Sequence, residues 1–200
     1  MDRKAVANET LKVQKQGFYN FNGKHIDFAD KQKLSEENSL LFTPEQGKCI
    51  IQEMKIPENI SVPAYSVQNQ SAVQAVLDMA KSSKKPAVLN FASAKNPGGG
   101  FLNGAMAQEE ALAASSGLYN TLLLHETFYN INRNCQTMMY TDHAIYSPDV
   151  VFFRDGDFKL IPEPVTASVL TLPAVNMGQV MAKGENVEKA KKVMKDRMRL

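Results

Sequence analysis

The sequence has few cysteines and no long hydrophobic run. Its two cysteines, Cys49 and Cys135, are far apart and form no CxxC motif. Such usage favours reduced thiols over a disulfide framework. The N-terminal region contains no apolar core of a secretory signal, and no stretch approaches the roughly 18 apolar residues of a membrane span. We therefore expect a cytoplasmic protein with no membrane association.

Charge of one sign and metal-binding motifs are also lacking. The net charge is +2 with 22% charged residues, a balance too mild to imply nucleic acid as an obligate partner. The three histidines share no spacing typical of metal ligands, so we expect no metal and no cofactor. Hydrophobic residues make up 44% of the chain, which is enough for the core of one domain. None of this predicts the oligomeric state.

The N-terminal residues 1–42 are polar and read as an accessory segment. Residues 3–16 avoid proline and glycine and predict a helix that ends at Gly17. Residues 18–28 predict a β-hairpin, because Asn22-Gly23 suits a type I′ turn with positive φ at both central residues.

The remaining residues 43–200 alternate between helical and strand patterns, which predicts an α/β fold. Thr43 and Gln46 fit a capping box at the start of a helix that runs to about residue 55. A strand at 61–67, a helix at 69–81 and a strand at 87–92, buried on both faces, would together form a βαβ unit. Further predicted elements are a helix from 107 to about 125, strand segments at 144–146 and 150–153, a strand at 165–175 and a helix at 186–200.

The most informative segment follows the strand at 87–92. Gly98-Gly99-Gly100 allows close backbone approach to a ligand, and its N–H groups can form a nest for a diphosphate. After seven further residues, Gln108-Glu109-Glu110 opens the next helix. Acids in a first turn are commonly explained by the helix dipole alone, worth about 0.3–1 kcal/mol each. The three glycines, the seven-residue spacing and the paired acids together are a more specific indication of function than any one of these features alone.

This combination resembles the signature of poly(ADP-ribose) glycohydrolases, in which three glycines are followed a few residues later by Gln-Glu-Glu. Residues 88–119 are similar specifically to the microbial-type family, and the similarity extends through residues 140–142, 145–148, 153–155 and 173–176. The resemblance implies a macro domain, in which a mixed β-sheet flanked by helices binds ADP-ribose in a cleft. Residues 43–200 would form this catalytic domain.

The resemblance also implies roles for matching residues. Glu110 would be the general acid that protonates the leaving oxygen of the ribose–ribose O-glycosidic bond, and Glu109 would hold the ribose hydroxyls. Such an acid requires a raised pKa near neutrality, through burial or a neighbouring negative charge. The implied substrate contacts are Gly98, Gly99 and Gly100 on the diphosphate, Phe101 and Gln108 shaping the pocket, and Asn90 at the floor of the cleft.

Members of the resembled family carry a second glycine-rich loop after a further strand, and nothing in residues 176–200 matches it. The resemblance thus implies a domain that is incomplete at its C-terminus. Three hypotheses stay open at this point. The chain is a glycohydrolase acting on ADP-ribose polymer or ADP-ribosylated protein, a non-catalytic ADP-ribose-binding macro domain, or an inactive fragment.

Overall fold

The structure is a computed structural model that describes residues 2–55, 64–82 and 85–198. Its helices and strands confirm the expected fold class, a mixed β-sheet with helices packed against it. In chain order the elements are α1 (Arg3–Gln16), β1 (Phe18–Phe21), β2 (Lys24–Asp27), α2 (Ala29–Glu37), β3 (Leu40–Phe42), α3 (Pro44–Glu53), α4 (Ala72–Lys81), β4 (Ala87–Ala92), α5 (Gln108–Ser115), α6 (Leu118–Leu123), α7 (Glu126–Arg133), β5 (Ala144–Arg154), β6 (Leu160–Pro173), α8 (Met177–Ala182) and α9 (Val187–Arg197).

Several N-terminal predictions are confirmed by backbone geometry. Helix α1 ends at Gly17, whose φ of 74° is left-handed and whose N–H donates to the Val13 carbonyl. Strands β1 and β2 pair around Asn22 (φ 49°) and Gly23 (φ 79°), as a type I′ turn requires. The capping box of α3 is also present: Thr43 Oγ1 accepts from the Gln46 N–H, and Gln46 accepts from the Thr43 N–H.

The accessory segment packs directly on the elements that carry the glycine loop and the acids. The Thr10 hydroxyl donates to the Ala114 carbonyl at 2.7 Å, which joins α1 to the end of α5. Strand β3 pairs antiparallel with β5 and so belongs to the main sheet. The domain boundary at residue 43 stays a prediction, but residues on both sides of it build the same sheet.

The main sheet has the order β3-β5-β6-β4, with β4 parallel to β6 and the other pairs antiparallel. The predicted βαβ unit is wrong in its first strand. Residues 64–67 have no regular structure, and residues 61–63 lie outside the described residues. Strand β4 instead takes its parallel partner from β6, far along the chain. It also lies at the edge of the sheet, and Phe91 is 44% exposed, so burial on both faces was a wrong expectation.

The single helix expected from 107 to about 125 is broken into α5 and α6. Ser116 is extended and forms a β-bridge with Phe152, while the Gly117 N–H donates to the Val151 carbonyl at 2.9 Å. A helical backbone at these residues would forfeit both contacts with β5. The helical spacing of apolar residues continues from α5 into α6, so the sequence pattern did not show the break. The break follows from the contacts of Ser116 and Gly117 with β5.

Strands β5 and β6 form a long antiparallel hairpin, whereas the sequence pattern predicted shorter strand segments here. The two segments expected around Pro148 form one strand, and a register shift between Ser147 and Val150 accommodates Asp149 at a φ of 47°. Strand β6 begins at Leu160 rather than 165, because its first residues pair with the end of β5. The buried side chains of this hairpin and of α4 to α7 form the largest hydrophobic cluster. No described helix is long and apolar enough to span a membrane.

Candidate active site

The loop between β4 and α5 brings three glycines against two carboxylates. Gly98 and Gly99 have φ values of 66° and 59°, a region that L side chains rarely adopt. A Cβ on Gly99 would collide with the Glu110 carboxylate and lie 3.1 Å from Oε2 of Glu109. Glycine is therefore required here both for backbone conformation and for close approach to the acids.

Glu110 is held by backbone amides on both sides. Its Oε1 accepts a hydrogen bond from the Gly100 N–H at 2.8 Å, and its Oε2 accepts from the Ala107 N–H at 2.9 Å. The second bond satisfies an N–H at the start of α5 in the manner of a capping box. The glycine loop and the first turn of the helix thus fix this carboxylate in one orientation.

Glu109 lies in a different environment although it is the adjacent residue. It is only 3% exposed, and its Oε2 accepts from the Ser93 N–H at 2.7 Å. Its other oxygen, Oε1, is buried and has no hydrogen-bond partner within the part of the chain that the structure describes. Burial raises the pKa of Glu109 to about 7, against the opposing effect of the Ser93 N–H, and the neighbouring Glu110 charge adds to the rise.

Gln108 joins the start of α5 to the free edge of β4. Its Oε1 accepts from the Phe91 N–H and its Nε2 donates to the Leu89 carbonyl, both at 2.9 Å. These are the backbone groups that an edge strand leaves unpaired. Gln108 thus shapes the site by fixing β4 beneath the acids, and its predicted contact with substrate stays a prediction.

Two other predicted substrate contacts are buried away from the surface. Phe101 is 3% exposed and packs against Tyr119, with ring centroids 5.2 Å apart. Asn90 is fully buried and donates to Thr171 Oγ1 at 3.2 Å, so it ties β4 to β6. Both side chains lie in the interior next to the site, and their predicted contacts with substrate stay predictions.

The N–H groups of the glycine loop are largely used within the protein. The Gly99 N–H donates to the Asn96 carbonyl and the Phe101 N–H to the Gly98 carbonyl, in addition to the bond from Gly100 to Glu110. The expectation that these glycines bind a diphosphate stays a prediction. What the geometry establishes is their contact with the carboxylates.

Both carboxylates open onto a cleft of about 790 Å³ above the C-terminal ends of β4 and β6. Lys95 and Tyr140 also line this cleft, and neither was predicted from the sequence to belong to the site. Lys95 Nζ lies 5.9 Å from the centre of the Tyr140 ring. The full lining consists of Phe91, Ala92, Ser93, Ala94, Lys95, Asn96, Ala107, Glu109, Glu110, Tyr140, Ala174, Val175 and Asn176.

Helix α7 anchors the loop that carries Lys95. Arg133 Nε donates to the Lys95 carbonyl at 2.9 Å, and its Nη1 donates to Asn130 Oδ1 at 2.8 Å. Within residues 2–55, 64–82 and 85–198, no group of three His, Cys, Asp or Glu side chains is arranged to hold a metal ion. Among the described residues, the charged groups that line the cleft are the carboxyl groups of Glu109 and Glu110 and the ammonium group of Lys95.

Comparison with known proteins places this arrangement in a family. Residues 7–155 match the model of the microbial-type PARG catalytic domain, where PARG denotes poly(ADP-ribose) glycohydrolase. The chain belongs to this family. No curated protein sequence matched the chain.

Solved structures of family members agree with the match. Poly(ADP-ribose) glycohydrolase from Thermomonospora curvata is 34% identical, with a TM-score of 0.94, and the alignment covers 98% of this chain and 72% of that one. The Deinococcus radiodurans enzyme in complex with ADP-ribose is 34% identical, with a TM-score of 0.77 and coverage of 90% and 69%. The microbial-type glycohydrolase fold therefore extends over nearly the whole of this chain.

Proposed function

We propose that this chain is a poly(ADP-ribose) glycohydrolase that hydrolyses the ribose–ribose O-glycosidic bonds of ADP-ribose polymers. The observation that carries the proposal is the pair Glu109 and Glu110 at the start of α5, fixed by backbone amides and open to one cleft. Membership of the microbial-type family supports the same reaction. The T. curvata enzyme has been solved bound to the inhibitor ADP-HPD, and the D. radiodurans enzyme with ADP-ribose.

Glu110 is the proposed proton donor. It lines the same cleft as Glu109 but is less deeply buried. Transfer of its proton to the bridging oxygen breaks the glycosidic bond and leaves an oxocarbenium-like sugar. Water then adds to the anomeric carbon and gives its proton to the Glu110 carboxylate, which restores the acid. A general acid of this kind contributes about 10²- to 10⁴-fold.

Glu109 has the proposed role of holding the ribose. With a pKa of about 7, it is protonated in a large fraction of molecules at neutral pH, so that its carboxyl group can both donate and accept hydrogen bonds. Its buried Oε1 has no hydrogen-bond partner among the described residues. A buried polar atom without a partner is costly, and pairing with substrate would relieve that cost.

A cytoplasmic location and a sheet of the macro-domain type are further parts of this proposal. Cys49 and Cys135 are both free thiols, which supports a reducing compartment. The proposed substrate is the ADP-ribose polymer, either free or attached to protein.

Incubation of the purified chain with ADP-ribose polymer tests the proposal. We expect ADP-ribose to be released, and calorimetry to detect ADP-ribose binding. Binding without release would instead identify a non-catalytic ADP-ribose-binding domain. If the chain neither binds nor releases ADP-ribose, it is an inactive fragment. Either of these two results would contradict the proposal.

A further inference from the structure

Helix α7 packs against the loop between β4 and α5 that holds Glu109. Near the end of α7, Arg133 Nε donates to the Lys95 carbonyl at 2.9 Å. Lys95 follows Ser93, whose N–H donates to the Glu109 carboxylate, by two residues. Tyr129 lies four residues before Arg133, so both side chains occupy one face of α7. The Tyr129 side chain is therefore directed toward this loop, and it is fully buried.

Electrostatic interactions also place Tyr129 near Glu109. Burial raises the pKa of Tyr129, and the Glu109 charge raises it further. The pKa of Glu109 is raised by its own burial, while hydrogen bonding from the Ser93 N–H and from the Asn90 side chain acts in the opposite direction. Asn90 and Tyr129 therefore both lie near the Glu109 carboxyl group.

Each of these three side chains has a buried polar atom without a partner in the described part of the chain. The atoms are Oε1 of Glu109, Oδ1 of Asn90 and the hydroxyl oxygen of Tyr129. None of the three residues is more than 3% exposed. Buried polar groups are costly when unpaired, so neighbouring groups of this kind are expected to bond to one another, directly or through a buried water.

The hydroxyl of Tyr129 is the donor that this cluster requires. Its raised pKa keeps the phenol neutral over the range in which Glu109 titrates, so the hydroxyl always has a proton to donate. Asn90 uses its amide on Thr171 Oγ1 and presents Oδ1, which only accepts. Oε1 of the Glu109 carboxylate is likewise an acceptor, and it carries the negative charge that a donor stabilises most.

We propose that Tyr129 is a positioning residue that donates a hydrogen bond to Oε1 of Glu109, directly or through one buried water, and fixes this carboxyl group at the cleft. The inference rests on the proposed function, in which Glu109 holds the ribose. A carboxylate oxygen accepts two hydrogen bonds, so this bond leaves room for a ribose hydroxyl. Because the bond favours the charged form, it also keeps the pKa of Glu109 from rising further above its usual range.

The test is the titration of Glu109 in Tyr129→Phe, which removes the hydroxyl and keeps the ring. NMR of the chain carrying isotope-labelled glutamate follows the carboxyl group, and Glu109→Gln assigns its signal. The pKa of Glu109 should rise from about 7 to about 8, because a hydrogen bond to a charged group is lost. ADP-ribose affinity, measured by calorimetry, should fall about threefold or more. A fluorinated tyrosine at position 129 is a stronger donor and should lower the pKa of Glu109 below its wild-type value.

Tyr19→Phe is the matched control. Tyr19 is also buried, and its hydroxyl donates to the Ile161 carbonyl at 2.7 Å in a separate hydrophobic cluster. This variant should lose stability through the lost hydrogen bond. It should keep the Glu109 pKa and the ADP-ribose affinity of the wild-type chain.

An unchanged pKa of Glu109 in folded Tyr129→Phe would overturn the inference, and so would an equal rise in Tyr19→Phe. An unchanged ADP-ribose affinity in Tyr129→Phe would overturn the positioning role. The titration uses no substrate, which separates this inference from the proposed function. If the wild-type chain releases no ADP-ribose, the proposed function fails, and the Glu109 titration still decides whether Tyr129 bonds to this carboxyl group.

Discussion

The backbone N–H of Gly100 donates to Oε1 of Glu110 across 2.8 Å, so the glycine loop holds the acid that follows it by ten residues. Gly99 lies so close to the same carboxylate that a side chain there would displace it. The glycine loop and the Glu110 carboxylate are thus one structural unit.

Gly99→Ala should disable this unit. The new Cβ would collide with Glu110 in a backbone that already disfavours L residues, so we expect a loss of about 1–3 kcal/mol of unfolding free energy and loss of ADP-ribose release. Urea unfolding and a polymer assay measure the two effects. Gly184→Ala is the control, because Gly184 has a φ of 66° but open space around it. That variant should lose about 1 kcal/mol and retain turnover; equal loss of activity in both variants would rule out the collision.

Burial of Glu109 predicts a pH-dependent stability. Because its pKa is about 7 in the folded state and near 4.5 otherwise, the native state binds the proton more tightly. The stabilisation is complete below the unfolded pKa and is lost as pH rises through the folded value, for a total on the order of 3 kcal/mol. The variant Glu109→Gln lacks this titration. Its stability relative to wild type should therefore increase from pH 5 to pH 8 in urea unfolding, and a constant difference would contradict the raised pKa.

Gln108 should contribute to stability through β4. Gln108→Ala removes the hydrogen bonds to the Phe91 N–H and the Leu89 carbonyl, and we expect a cost of about 1–3 kcal/mol. Gln74→Ala removes an exposed side-chain bond to Asp78 and should cost less than about 0.5 kcal/mol. Thermal unfolding of the two variants compares them directly. Similar stability would show that Gln108 does not fix the edge of the sheet.

Local signals predicted much of this fold correctly. The capping box at Thr43, the turn at Asn22-Gly23 and the C-terminal glycine of α1 depend on a few adjacent residues, and each is present. The glycine loop and the paired acids could be recognised in the sequence because they too lie within one short segment. The opposite environments of Glu109 and Glu110 were not evident in their sequence.

Tertiary pairing explains what the sequence did not predict. Strand β4 pairs with a strand about 80 residues away, and the break between α5 and α6 follows from contacts with β5. Tyr140 and Lys95 are 45 positions apart, and only the folded chain brings them to one cleft.

The most direct test of the central claim is turnover by Glu110→Gln. Glutamine keeps an oxygen for one of the two backbone amides but cannot act as the proton donor. Glu45→Gln, which changes an exposed acid in the first turn of α3, is the control for the helix dipole. We expect Glu110→Gln to lower kcat for ADP-ribose release by about 100-fold or more, with ADP-ribose affinity within about threefold of wild type. Turnover by Glu110→Gln at the wild-type rate would contradict the account.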